Sequence, residues 1–266
     1  MKNILMGLLA AVALTASYAA GAQTDKATLA KELEQKAMEV YQQRADTGIA
    51  LFRQASDLYK QAGNMKAAAA NLQNAAIVHE QVRRDNFKSM EVMKESLLLW
   101  RQTKDSAGTA NAYKYIMSQH AKMNDNMNAF KKADTAIRYY TALNDAGNIS
   151  AVYLALANMF ESQRLPDSAI KQALKAYDIQ KTVKGSDVAL YRINSTLFRL
   201  YTISGNADAA KDLLKKNEKA IKKLTLTSDD KLNHYYYTWM YYTKTGDTTK
   251  AAEYKAKYDA LRNSTK

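Results

Sequence analysis

The chain has 266 residues, with 39 Lys and Arg against 26 Asp and Glu for a formal net charge of +13, and it contains no cysteine. Disulfides and thiolate chemistry are excluded, so stability has to come from apolar packing. One proline and nine glycines among abundant Ala, Lys, Leu, Gln and Met make the composition of long helices, and no run of alternating β-branched residues marks a strand.

Lys2 precedes an apolar run from Ile4 to Leu14 and small residues ending in Ala20-Gly21-Ala22, the layout of a cleavable secretory signal. About 11 apolar residues fall short of the roughly 20 that cross a bilayer. Cleavage is therefore expected after Ala22, leaving residues 23–266 as one soluble, periplasmic or secreted domain with no later transmembrane segment.

The helical patterns then come in pairs. Residues 26–44, with Leu29, Leu33, Ala37, Val40 and Tyr41 on one face, pair with 49–61 around Gly48. The following pairs are 66–83 with 87–103, 107–122 with 127–143, 150–163 with 168–182, 187–203 with 207–223, and 229–244 with 248–261. The breaks carry residues that stop and start helices: Gly63-Asn64, Asp105-Ser106, Asp145-Ala146-Gly147, Gly185-Ser186-Asp187 and Thr227-Ser228-Asp229. Six antiparallel hairpins are expected in an all-α right-handed solenoid. Each hairpin is too small to shelter its own apolar face and must share it with the next.

The pairs repeat. Phe160, Tyr201 and Tyr242 lie 41 residues apart, and Ala169, Ala210 and Ala251 follow each by nine. Gly205 and Gly246 follow the last two aromatics by four, with Arg164 at the matching place in the first. Earlier in the chain the offset is 40, as in Asp85/Asp125, Trp100/Tyr140, Asp105/Asp145 and Tyr113/Tyr153. Two antiparallel helices meeting at a tight turn need a small residue where their backbones approach, a ring to fill the wedge, and a residue that accepts the left-handed conformation. The pattern from Thr47 to Leu261 is similar to the tetratricopeptide repeat (TPR) family, whose first helix ends in the aromatic and Gly and whose second carries the Ala. Ala129/Ala133/Ala136 and Ala169/Ala173/Ala176 match its small second-helix positions. The family period is about 34 residues, so this chain resembles a long-helix variant with units of 40 to 41. Ala157, three before the aromatic, becomes Phe198 and Trp239 in later units.

The resemblance implies a ligand groove lined by the first helix of each pair. Offsets from the aromatics place Asn71, Asn74, Asn111, Lys114, Asn158, Arg192, Arg199, Asn233, Tyr236 and Met240 there, with Leu154, Glu161 and Ser195 beside them. Asn and Arg on one face can hydrogen-bond an extended peptide or an anionic terminus. Tyr235, Tyr236, Tyr237, Trp239, Tyr241 and Tyr242 wrap aromatics round more than one face of their helix, and one such face is expected to pack on Tyr254 and Tyr258.

From Lys171 onward 19 basic residues oppose 10 acidic ones, and Lys211, Lys215, Lys216, Lys219, Lys222 and Lys223 share one helix, with Ala210, Leu214 and Ile221 left for packing. Such a face attracts polyanions. In an exported protein that means an anionic polymer, a lipid surface or an acidic partner, and not nucleic acid. His79, His120 and His234 show no metal-ligand spacing, and neither a glycine-rich phosphate loop nor a nucleophile elbow is present. No catalytic, metal or cofactor residues are assigned. His120 replaces an aromatic of the repeat and reads as packing. Asp105-Ser106-Ala107, Asp134-Thr135-Ala136 and Asp167-Ser168-Ala169 resemble a glycan acceptor triplet, but Asp and Ser also belong at helix starts. The expected function is a non-catalytic protein- or peptide-binding adaptor or scaffold of the cell envelope. A structural or assembly factor that self-associates through solenoid ends is the alternative; a third reading, an enzyme with a site built in the groove, finds no motif in support.

Overall fold

The computed structural model describes residues 24–264, so the signal segment and its cleavage after Ala22 lie outside the described residues. Within them are twelve helices and no strand. They are α1 (24–40), α2 (Ala45–Gln61), α3 (Met65–Gln81), α4 (Asn86–Gln102), α5 (Ser106–Lys122), α6 (Asn126–Ala142), α7 (Ala146–Ser162), α8 (Pro166–Gln180), α9 (Asp187–Ser204), α10 (Ala207–Lys223), α11 (Ser228–Thr245) and α12 (Thr248–Ser264). The six expected pairs are all present.

One turn design recurs. A residue with positive φ follows the helix end: Gly63, Arg84, Lys104, Asn124, Asn144, Arg164, Gly205 and Gly246, while Gly185 takes the same conformation later in the longer turn at 181–186. At seven of these turns the next amide donates 2.8 to 3.0 Å back to the carbonyl of a residue five earlier, and that residue is always a ring: Tyr59, Trp100, His120, Tyr140, Phe160, Tyr201 or Tyr242. The donor is, in six of the seven, an Asn or Asp whose side chain then caps the following helix, as Asp105 accepts from the Gly108 amide at 2.8 Å and Asp145 from Asn148 at 3.0 Å. Each turn thus closes one helix and opens the next with no spare residues.

The tertiary contacts form two compact units that divide inside α6, between Tyr139 and Tyr140. In the first, Phe52, Leu72, Met93, Leu97 and Ile116 make the core of α2 to α5. Buried serines tie its helices: Ser56 donates to the Ala68 carbonyl at 3.0 Å and Ser96 to Ala69 at 2.7 Å. Tyr115 reaches from α5 to the Glu80 carboxylate at 2.8 Å, and Lys122 pairs with the same carboxylate. Burial alone would raise the Glu80 pKa, but the bonds from Lys122 and Tyr115 outweigh it and hold the group below its ordinary value.

In the second unit, Ala157, Ala169, Ala173 and Ala176 let α7 and α8 approach closely, and Ile193, Leu197, Phe198, Leu213 and Leu214 fill the space beyond. Ser150 donates to the Ala176 carbonyl at 2.8 Å. The aromatic residues of α11 pack on α12 as their sequence suggests, with Tyr242 and Tyr254 at 5.8 Å and His234 and Tyr254 at 6.2 Å between ring centroids. No described helix is long and apolar enough to cross a membrane.

Candidate functional site

The first helices of the last three hairpins, α7, α9 and α11, present one continuous shelf within the second unit. Helical spacing explains it: Leu154 and Asn158 are one turn apart on α7, as are Arg192 and Thr196 on α9, and Asn233 and Tyr237 on α11. Together with Ser195, Arg199 and Asp230 they line a cavity of about 230 Å³. Asn158, Arg192, Arg199 and Asn233, four of the expected groove residues, are brought together here, with Leu154 and Ser195 beside them.

Both arginines are engaged across helices. Arg192 donates from Nε and Nη2 to the two carboxylate oxygens of Asp230 at 3.1 and 3.0 Å, a two-point pairing that ties α9 to α11. Burial of Asp230 would raise its pKa, yet the bonds from Arg192 and Thr227 together pull it below the ordinary carboxylate value. Arg199 donates from Nη2 to Asn158 Oδ1 at 2.9 Å and to Glu161 Oε2 at 2.5 Å, and its guanidinium carbon sits 5.6 Å from the Tyr237 ring centroid. The balance runs the other way at Glu161: desolvation wins over the arginine, and its pKa is raised.

The shelf is thus charge-balanced, two cations answered by two carboxylates. What remains open to a ligand is the exposed carboxamide of Asn233 and the Nδ2 side of Asn158, whose Oδ1 already accepts from Arg199, rimmed by hydroxyls and the half-buried Tyr237 ring. Thr196 turns its hydroxyl onto the Arg192 carbonyl at 3.1 Å. A carboxamide offers a donor and an acceptor side by side, matching one peptide group.

Other expected groove residues lie elsewhere. Asn71 is fully buried, because α3 is packed between α2 and α4; it turns Nδ2 onto the Ala67 carbonyl of its own helix at 3.0 Å, and so does not face a groove. Asn74 is half-buried on α3, and Asn111 and Lys114 are exposed and half-buried on α5, all in the first unit. Tyr236 does not line the shelf. It packs on Tyr258 of α12 at 5.6 Å and on Trp239 at 5.8 Å, lining with Leu232 and Tyr258 an adjoining hollow that shares Asn233 and Tyr237 with the shelf. Met240 is half-buried and lines neither. The aromatic facing the shelf is Tyr237, which helical spacing places one turn after Asn233 on the same face, whereas the repeat offset from Tyr242 points to its neighbour Tyr236. Asp230 too escapes the repeat offset, although its place three residues before Asn233 puts it on the same face.

The lysines of α10 are all exposed, and Leu213, Leu214 and Asn217 make its buried face. His120 is buried and paired through Nδ1 with Asp125 at 2.9 Å, a packing role as its repeat position suggested.

No family model matches the chain, and no curated protein matches it by sequence. Among solved structures it is similar to aspartyl phosphate phosphatase F from Bacillus subtilis, at 11% identity and a TM-score of 0.71 over 91% of this chain and 72% of that one. It is also similar to a Rap protein complexed with competence and sporulation factor, at 14% identity and a TM-score of 0.63 over 86% of this chain and 64% of that one. A third is a putative kinesin light chain with nearly identical TPR-like repeats from Podosopora anserina, at 14% identity and a TM-score of 0.57 over 76% of this chain and 98% of that one. Identities this low speak to architecture and not to ligand. The fold of this chain is that of the TPR-like helical repeats.

Proposed function

We propose that this chain is a non-catalytic, exported adaptor whose α7, α9 and α11 shelf holds an extended peptide segment of a partner protein. The charge balance of the shelf carries the reading. With Arg192 and Arg199 committed to Asp230 and Glu161, the groups left for a ligand are the Asn233 carboxamide and the Asn158 Nδ2, suited to a peptide main chain, and a ring suited to a flat one. The similar Rap structure, complexed with competence and sporulation factor, supports a ligand-holding role for this architecture. The secretory pattern of the first 22 residues supports export to the envelope. The exposed lysines of α10 give the adaptor a face on which to meet an anionic polymer, lipid surface or acidic partner.

The test is a peptide array probed with the full chain and with Asn158→Ala/Asn233→Ala. Two lost hydrogen bonds should weaken binding about ten- to a hundredfold. Peptides bound equally by both proteins would remove the shelf from the function.

A second reading, self-association, is favoured by the half-buried cluster of Tyr236, Trp239 and Tyr258, and by α12, where Ala251 is the one residue buried among those described. Light scattering of the purified protein decides it, a mass above one chain supporting assembly and a monomer removing it.

A further inference from the structure

Beside the shelf lies a second hollow that the reading above does not use. It opens between the first turns of α7 and α9 beneath the turn at 181–186, and encloses about 480 Å³. Ala151, Leu154, Val183, Val188 and Ala189 give it apolar walls. Leu154 and Arg192 line both this hollow and the shelf, so the two are one continuous surface. Its volume lies in the range of small-ligand sites, large enough for a Leu or Phe side chain.

The charges at its rim are of one sign. Lys184 and Arg192 line it and no carboxylate does; Asp187, in the first turn of α9, is not among the lining residues. Arg192 is answered by Asp230, which leaves Lys184, exposed on the turn, as the cation with charge to offer. An extended chain advances about 3.3 Å per residue with side chains on alternate sides. A segment whose main chain rests on Asn158 and Asn233 can therefore drop one side chain into the hollow and keep a neighbour at the rim.

We propose that the partner segment carries an aliphatic or phenyl side chain beside an acidic one, the apolar group filling this hollow and the carboxylate meeting Lys184. The inference rests on the peptide-binding reading of the shelf and adds the sequence it selects.

A random peptide library displayed on phage, panned against the full chain, tests it. Selected peptides should share a Leu, Ile, Val or Phe with Asp or Glu one or two positions away. Filling the hollow with Ala189→Phe, or from the opposite wall with Ala151→Phe, should weaken a selected peptide about ten- to a hundredfold, and Lys184→Glu about threefold to tenfold. Peptides that show no apolar position, or that bind both filled variants undiminished, overturn the inference and leave the shelf reading standing. Failure to select any peptide overturns both. So does a hollow that binds laurate and no displayed peptide, which would make it a lipid site.

Discussion

The indole of Trp100 packs tightly against Gly108, so that a Cβ built on Gly108 would come 2.3 Å from indole Cδ2. The ring closes α4 and the glycine sits in the first turn of α5, so the contact fixes the angle between consecutive helices. In an open helix Gly→Ala stabilises by about 1 kcal/mol. Here the gain is opposed by overpacking against a large, half-buried ring, and Gly108→Ala should destabilise by about 1 to 2 kcal/mol net, read as a shifted urea midpoint at unchanged slope. Trp100→Phe in the same background should recover part of the loss.

Arg164 holds φ at 61° in a turn where Gly205 and Gly246 hold 81° and 82°. A side chain in that region costs roughly 1 to 2 kcal/mol. Arg164→Gly should therefore stabilise by about 1 kcal/mol and raise the melting temperature by about 2 to 4 °C, while Gly205→Ala does the reverse. Equal melting points across the set would mean that the turns carry no strain.

Glu161 and Arg199 each expose 22% of their side chains. Removing the guanidinium leaves a half-buried carboxylate whose pKa burial already raises, so Arg199→Met should cost about 1 to 3 kcal/mol. Arg199→Met/Glu161→Gln should recover more than half of that in a double-mutant cycle. Additive losses would show that the pair is not coupled. This structural load also makes Arg199 a poor probe of ligand binding, and Asn233, which shares no bond with the pair, a better one.

His234 is 1% exposed with Nδ1 unpaired, and desolvation pulls its pKa down to about 4. Glu218 acts on it in the opposite sense, and Lys257 in the same one. The unfolded chain takes up a proton below about pH 6.5 while the folded one refuses it until about pH 4. Stability contributed by the neutral ring is present above pH 6.5 and is lost as pH falls through that window, by about 3 kcal/mol in all. His234→Phe should flatten the stability profile between pH 4 and 6.5 relative to the parent chain; an unchanged slope there would show that the ring titrates normally.

The helix pairing was legible because hydrophobic spacing and helix-stop residues are local signals; the first hairpin alone differs, its break falling at 41–44 and Gly48 lying inside α2, where it packs closely on Tyr41 and does not make the turn. The deeper regularity is half as long. Trp100, His120, Tyr140 and Phe160 are 20 residues apart, one at the end of each successive helix. The sequence hid this because His120 stands for an aromatic, and because Arg84, Lys104, Asn124, Asn144 and Arg164 occupy the left-handed position without being glycine. The shelf was half legible. Asn158, Arg192, Arg199 and Asn233 follow from helical offsets, but their Asp230 and Glu161 partners sit 38 residues away in sequence, a distance no periodicity of one helix reveals. Asn71 shares the offset of Asn111 yet is covered by α2 and α4, since an offset gives direction from the helix axis and not what stands there.

The pairing of both shelf arginines has a consequence for conditions of use. Counter-ions screen what is uncompensated, over about 8 Å at physiological ionic strength. A ligand held by Asn158 and Asn233 should keep most of its affinity as salt is raised, whereas anything gripped by the six exposed lysines of α10 should be shed. A salt titration therefore separates the two surfaces before any residue is changed.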